Sequence, residues 1–183
     1  MAYRNGTYIA FHAGGTTDPT ASDIRYYRLL KAWHEHDNVD FEFINSHDKA
    51  SAVRDSSTKE TLRRSLVQRL NNSKNMVLII GPTTKFDSDW VPFEVTYAID
   101  QCKMPIIAIY TQYDAIFNPS ALSDFWPAAL SQRIWNLTAR VIHIPFKQAA
   151  IDDAISQFTI ATPPESGLEH YSADAHRYFG ITV

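Results

Sequence analysis

The chain has 183 residues, 45% apolar and 13% aromatic, enough to bury a sizeable core in one domain and too apolar for a disordered segment. Its 17 basic and 20 acidic side chains leave a formal charge of −3, which offers no electrostatic footprint for nucleic acid or for an anionic membrane surface. Cys102 is the single cysteine, so no intrachain disulfide can form, and apolar runs such as Pro105 to Tyr110 fall far short of the roughly 20 residues a membrane span needs. No signal peptide is recognisable, and a cytoplasmic protein is expected.

In chain order, Thr7 to His12 predicts a first strand. Ser22 to about Trp33 predicts a helix with Ile24, Tyr27, Leu30 and Trp33 on its inner face. Val39, Phe41 and Phe43 alternate with Asp40 and Glu42, the pattern of a half-exposed strand at a sheet edge. Ser57-Thr58-Lys59-Glu60 has capping-box spacing, and Leu62, Leu66 and Leu70 then mark a second helix. Met76 to Ile80 is wholly apolar, as a parallel strand covered on both faces must be, and Gly81-Pro82 ends it.

A third helix starts near Ser88 or Asp89, either of which can cap it, with Pro92 in the first turn where its missing N–H costs little. Pro105 to Tyr110 is a fourth strand. Residues 111–139 read as irregular, with a short helix around Ala121 to Gln132. Val141 to Ile144 is a fifth strand, and Gln148 to Phe158 a last helix with Ala150, Ile151, Ala154, Ile155 and Phe158 at core spacing. Residues 1–160 are thus expected to form one domain, and 161–183 a tail that packs on it or on a partner. Five strand–helix units predict a doubly wound, flavodoxin-like α/β fold with a five-stranded parallel sheet, because parallel strands need helical crossovers of one hand.

Trp90-Val91-Pro92-Phe93-Glu94 carries the clearest sign of chemistry. An aromatic and a carboxylate four residues apart share one helical face, and this helix begins beside the C-terminal end of a strand, where open α/β sheets place their ligand crevices. The segments Tyr8-Ile9-Ala10-Phe11-His12, Leu78-Ile79-Ile80-Gly81-Pro82-Thr83-Thr84 and Trp90 to Val95, in this order and spacing, resemble the TIR-like domain of ThsB-type proteins of the bacterial Thoeris anti-phage system. The resemblance covers roughly residues 7–110.

The resemblance implies cleavage of the nicotinamide–ribose bond of NAD as substrate, with no further cofactor. It places the catalytic glutamate on Glu94 and implies a nucleotide signal, cyclic or otherwise derived from ADP-ribose, for a separate effector protein. Homo-oligomers or filaments belong to the same expectation. Phe11 and His12 end the first strand at the crevice and are candidates for substrate contact, as are Ser46 and Asp48 in the segment after the second strand, Thr83, and Trp90. Each has a plainer reading: Trp90 as a core side chain, His12 as a hydrogen-bonded structural group, Thr83 and Thr84 as turn formers, Glu94 as a first-turn acid favoured by the helix dipole. Ala13-Gly14-Gly15-Thr16-Thr17 stands where many TIR-like domains carry an acidic residue, and the next acid is Asp18.

Other chemistries fare worse. His34-Glu35-His36-Asp37 is not a metal motif, since side chains at i and i+2 diverge on a helix, and no metal is expected. Neither a phosphate-binding loop nor a nucleophile elbow is present. Arg54, Lys59, Arg63, Arg64 and Arg69 read as a solvated face, with Glu60 set to pair with Arg64. Two alternatives to an NAD-cleaving enzyme stay open: a catalytically silent interaction module, and a nucleoside deoxyribosyltransferase-like enzyme, which also uses a glutamate at sugar C1.

Overall fold

The computed structural model describes residues 4–12, 23–37, 43–45 and 59–183. Strands and helices alternate: β1 (Gly6–Ala10), α1 (Ile24–Asp37), β2 (Phe43–Asn45), α2 (Lys59–Asn71), β3 (Ser73–Ile80), α3 (Trp90–Asp100), β4 (Ile106–Tyr110), α4 (Ala128–Trp135), β5 (Val141–Pro145) and α5 (Gln148–Gln157). A two-residue strand β6 (Glu169–His170) and a short helix α6 (Ala173–Tyr178) follow. Every pairing is parallel, and the order is β2-β1-β3-β4-β5-β6. The doubly wound, flavodoxin-like sheet of the five expected strands is therefore present, with one short strand added at its far edge.

The continuous apolar runs are explained by the two cores that they feed. Met76, Leu78 and Ile80 of β3, with Ile106, Ala108 and Tyr110 of β4, pack under α2, α3 and α4. Their alternate neighbours Val77, Ile79, Ile107 and Ile109 pack under α1 and α5. A strand covered on both faces has no position for a polar side chain, and each buried Leu or Ile contributes about 1.5–3 kcal/mol. At the opposite, N-terminal end of the sheet, buried Asn75 spends its amide on the carbonyls of Ile155 and Phe158 and accepts the Thr7 hydroxyl, closing the C-terminal end of α5.

Three local expectations change. Helix α1 runs past Trp33 to Asp37, supported by the Lys31–Glu35 pair one turn apart. The helix placed at Ala121 to Gln132 is two elements, a 3-10 turn over Pro119–Phe125 and then α4. Pro127 divides them, because it holds the preceding Trp126 in extended backbone (ψ 138) and cannot donate to a helix. Neither Ser88 nor Asp89 caps α3 by its side chain. Asp87 Oδ1 instead accepts the amides of Asp89 and Trp90, while the Asp89 carboxylate turns to Lys59 at 2.7 Å. The expected capping residues Ser57 and Thr58, and strand positions 39–42, lie outside the described residues.

After Ala161 the chain rejoins the sheet. The Val141 amide donates to Ser166, β6 pairs with β5, and Phe179 and Ile181 bury themselves with Ala150. A directed hydrogen-bond chain fastens this segment. His143 Nε2–H donates to the Gly167 carbonyl, which leaves Nδ1 to accept from Tyr110 Oη, and that hydroxyl in turn accepts from Trp126 Nε1.

Candidate active site

Strand order 2-1-3 places the topological switch point between β1 and β3, where the crossovers leave toward opposite faces. The end of β1, the start of α1, the turn after β3 and the start of α3 all meet there. Glu94 is the fifth residue of α3, two after Pro92, on the face that packs over β1. It is 3% exposed, and Tyr8 of β1, itself fully buried, donates its hydroxyl to Glu94 Oε1 at 2.5 Å. Burial pushes this carboxyl up to about 8; the Tyr8 hydroxyl pulls it down, and the nearby Asp87 carboxylate adds to the rise.

His12 stands at the end of β1 with Nδ1 3.1 Å from Asp87 Oδ2, so Nδ1–H donates to the carboxylate. Asp87 thereby does two things at once, orienting the imidazole with one oxygen and capping α3 with the other. The Nε2 edge of His12 has no hydrogen-bond partner among the described residues.

A second buried carboxylate enters from the other face. Asp23 precedes α1, is 3% exposed, and accepts the Thr84 hydroxyl on Oδ2 at 2.8 Å. Thr84 Oγ1 in turn accepts the Gly81 amide at 2.8 Å. Desolvation raises the Asp23 pKa against the opposing pull of Thr84 and of the His12 and Arg25 charges. The approach is so close that a Cβ at residue 81 would fall 2.1 Å from Asp23 Oδ1, which is why glycine stands there.

The positions singled out in the sequence distribute as follows. Glu94 and His12 reach the switch point, where Asp87 hydrogen-bonds His12 and its charge disfavours ionisation of Glu94. Trp90 is half-buried, packs against the core beneath α3, and carries Lys59 Nζ 5.8 Å over its ring. Phe11 is buried and stacks on Tyr27, with ring centroids 4.9 Å apart. Thr83 is exposed and begins the 3-10 turn Thr84–Phe86 without a side-chain cap; its neighbour Thr84 is the buried partner of Asp23. Ser46 and Asp48 lie outside the described residues, as do Ala13 to Asp18. The sequence alone assigns no site role to Tyr8, Asp23 or Asp87. A polar hydroxyl within an otherwise apolar strand was the one available signal for Tyr8.

A cavity of about 550 Å³ opens farther along the same sheet edge, among Trp33, Phe146 and Lys147. Its walls include none of the groups that surround Glu94. Burial, hydrogen bonding and displaced titration converge at the switch point instead, and that is where reactive groups are found.

A doubly wound sheet with a buried glutamate one helical turn after a tryptophan, at the switch point, defines a TIR-like α/β domain. Residues 8–116 match the family model described as Thoeris protein ThsB, TIR-like domain. The match spans more than half of the chain, and the chain belongs to that family. Membership in a Thoeris family points to a role in anti-phage defence. Among the described residues no helix is long and apolar enough to cross a membrane.

Proposed function

We propose that this protein cleaves the bond between nicotinamide and ribose in NAD and releases an ADP-ribose-derived nucleotide, cyclic where an internal nucleophile closes the ring, as a signal in anti-phage defence. The observation that carries the reading is the Glu94 carboxylate, buried at the switch point and held by the Tyr8 hydroxyl. When the C1′–N bond breaks, its electron pair goes to the pyridinium nitrogen and nicotinamide leaves neutral. The deficit stays on the sugar as an oxocarbenium-like centre, so no general acid is needed. A fixed carboxylate in a water-poor cleft stabilises that charge far more than it would in water.

The displaced pKa of Glu94 fits this role. A cation brought beside it favours the ionised form, so the positively charged nicotinamide ring that binds also arms the carboxylate. His12, steered by Asp87, offers Nε2 to the proton released when water or a hydroxyl attacks C1′. Trp90 walls the nicotinamide side, and Ser46, Asp48, Thr83 and Phe11 belong to the wider binding region. A separate effector protein receives the product.

The test compares wild type with Glu94→Gln in phage-challenged cells, following NAD and new nucleotides by mass spectrometry. Loss of NAD in wild type alone is the expected outcome. Equal NAD loss and equal product in both strains would remove Glu94 from catalysis and favour a silent interaction module. A parallel assay with deoxynucleosides separates the deoxyribosyltransferase reading, which requires base exchange on them and indifference to NAD.

A further inference from the structure

We propose that Asp23 is a second substrate-binding carboxylate of this site, holding a ribose hydroxyl of the dinucleotide through Oδ1; the proposal rests on the NAD-cleaving reading above. Its two oxygens are used unequally. Oδ2 is anchored on Thr84, whose own oxygen is committed to the Gly81 amide, so the hydroxyl hydrogen is aimed at Asp23. Oδ1 lies over Gly81 and has no hydrogen-bond partner among the described residues.

A purely structural brace would not need this arrangement. Asn or Ser would accept the Thr84 hydroxyl equally well without the desolvation that a carboxylate suffers when 3% exposed. What the charge adds is a strong acceptor, and an unsatisfied acceptor at a crevice is complementary to a hydroxyl donor.

The surroundings select which part of a dinucleotide sits here. Asp23, at the start of α1, is tied to the end of β1 and to the turn after β3, and Glu94 of α3 is tied to β1 through Tyr8, so a ligand at the switch point between β1 and β3 meets both carboxyls. Asp87 adds a third carboxylate, with His12 the basic group bonded to it. The Asp87 carboxylate disfavours a diphosphate here, and the group as a whole accepts sugar hydroxyls and a cationic ring, which draws Glu94 toward its ionised form. The nicotinamide ribose therefore occupies the switch point, with Asp23 and Glu94 beside it. The backbone supports the placement: the Asp23 amide donates to the His12 carbonyl at 3.3 Å, which sets Asp23 directly beside the strand end.

Asp23→Asn is the discriminating variant. It keeps the volume and an oxygen for Thr84, but puts an amide donor where Oδ1 accepts. NAD binding is measured by calorimetry in a Glu94→Gln background, which prevents turnover, and thermal melting confirms the fold. The expected result is an NAD affinity about tenfold or more lower in Asp23→Asn, Glu94→Gln than in Glu94→Gln alone. With NAD analogues lacking the 2′- or the 3′-hydroxyl of the nicotinamide ribose, the penalty should vanish for one of the two. Equal affinity in both proteins, no binding by either, or the same penalty with both analogues overturns the proposal. Cleavage of NAD by wild type with unchanged affinity in Asp23→Asn would overturn the Asp23 assignment alone. Asp23-dependent binding by a wild-type protein that leaves NAD intact would overturn the cleavage reading alone. Should Asp23→Asn fail to fold, Thr84→Val, which unties Oδ2 while sparing the charge, must lower NAD affinity in the same background; unchanged affinity there counts against the proposal.

Discussion

Tyr8→Phe removes one oxygen and leaves the ring that fills the core between β1 and α3. In the native protein that oxygen is the hydrogen-bond donor to Glu94 at 2.5 Å, and both side chains are withdrawn from water. A hydrogen bond to a charged group contributes about 1.5–3 kcal/mol, which corresponds to raising the acid's pKa by about one to two. Glu94 already titrates at about 8. At pH 7 its ionised fraction, roughly a tenth, should therefore fall to roughly a hundredth or a thousandth. Because kcat/KM reports the free enzyme, the acid limb of its pH profile for NAD cleavage should move up by about one to two pH units, with a roughly tenfold to hundredfold loss at pH 7. Activity should recover toward that of wild type at high pH, which a damaged fold would not allow. A Tyr8→Phe profile that overlays wild type would refute the idea that the hydroxyl keeps Glu94 available as an anion.

Three further outcomes concern Glu94, His143 and Gly81. Glu94 holds its proton more tightly in the folded chain (about 8) than the ordinary 4.5, so its contribution to stability is present at low pH and lost as pH rises through 8. Glu94→Gln should thus be close to wild type in stability at pH 5 and more stable than wild type at pH 8, by about a few kcal/mol in denaturant unfolding; equal stability at both values would contradict the burial of the charge. His143 behaves oppositely: burial lowers it to about 4 from 6.5, so its contribution is present above 6.5 and lost as pH falls through 4. His143→Gln should flatten the fall in Tm between those values while lowering Tm at pH 7, where it breaks the chain from Trp126 to Gly167; an unchanged acid limb would argue against the neutral imidazole. Gly81→Ala should destabilise by about 1–3 kcal/mol or more through the clash with Asp23 Oδ1. Denaturant unfolding should show that cost largely disappear in an Asp23→Ala background, and simple additivity of the two changes would contradict the contact.

Glu94 was legible because a glutamate one turn after a tryptophan, behind an apolar strand, is a local pattern. So were β3 and β4, whose runs of aliphatic side chains leave no other reading than a strand covered on both faces. The groups that give Glu94 its character were not legible, because they are brought to it by tertiary pairing. Tyr8 lies 86 positions away, Asp87 meets His12 across 75, and Thr84 meets Asp23 across 61. Periodicity carries no information at such separations. The division at Pro127 is hidden for a different reason: the apolar residues on both sides of it satisfy one continuous helical pattern, and the backbone restriction at proline outweighs it. Capping preference alone does not tell which of the adjacent polar residues Asp87, Ser88 and Asp89 turns its side chain to the first amides of α3.

The bond from the Asp23 amide to the His12 carbonyl brings together two residues separated by positions 13–22. That single backbone bond couples two anchored side chains: His12 is steered by Asp87 and Asp23 is held by Thr84, so a displacement of either anchor is passed to the other. The two ends of the crossover thus behave as one mechanical unit, and substitutions at Asp87 and at Thr84 should show non-additive effects when the two are combined.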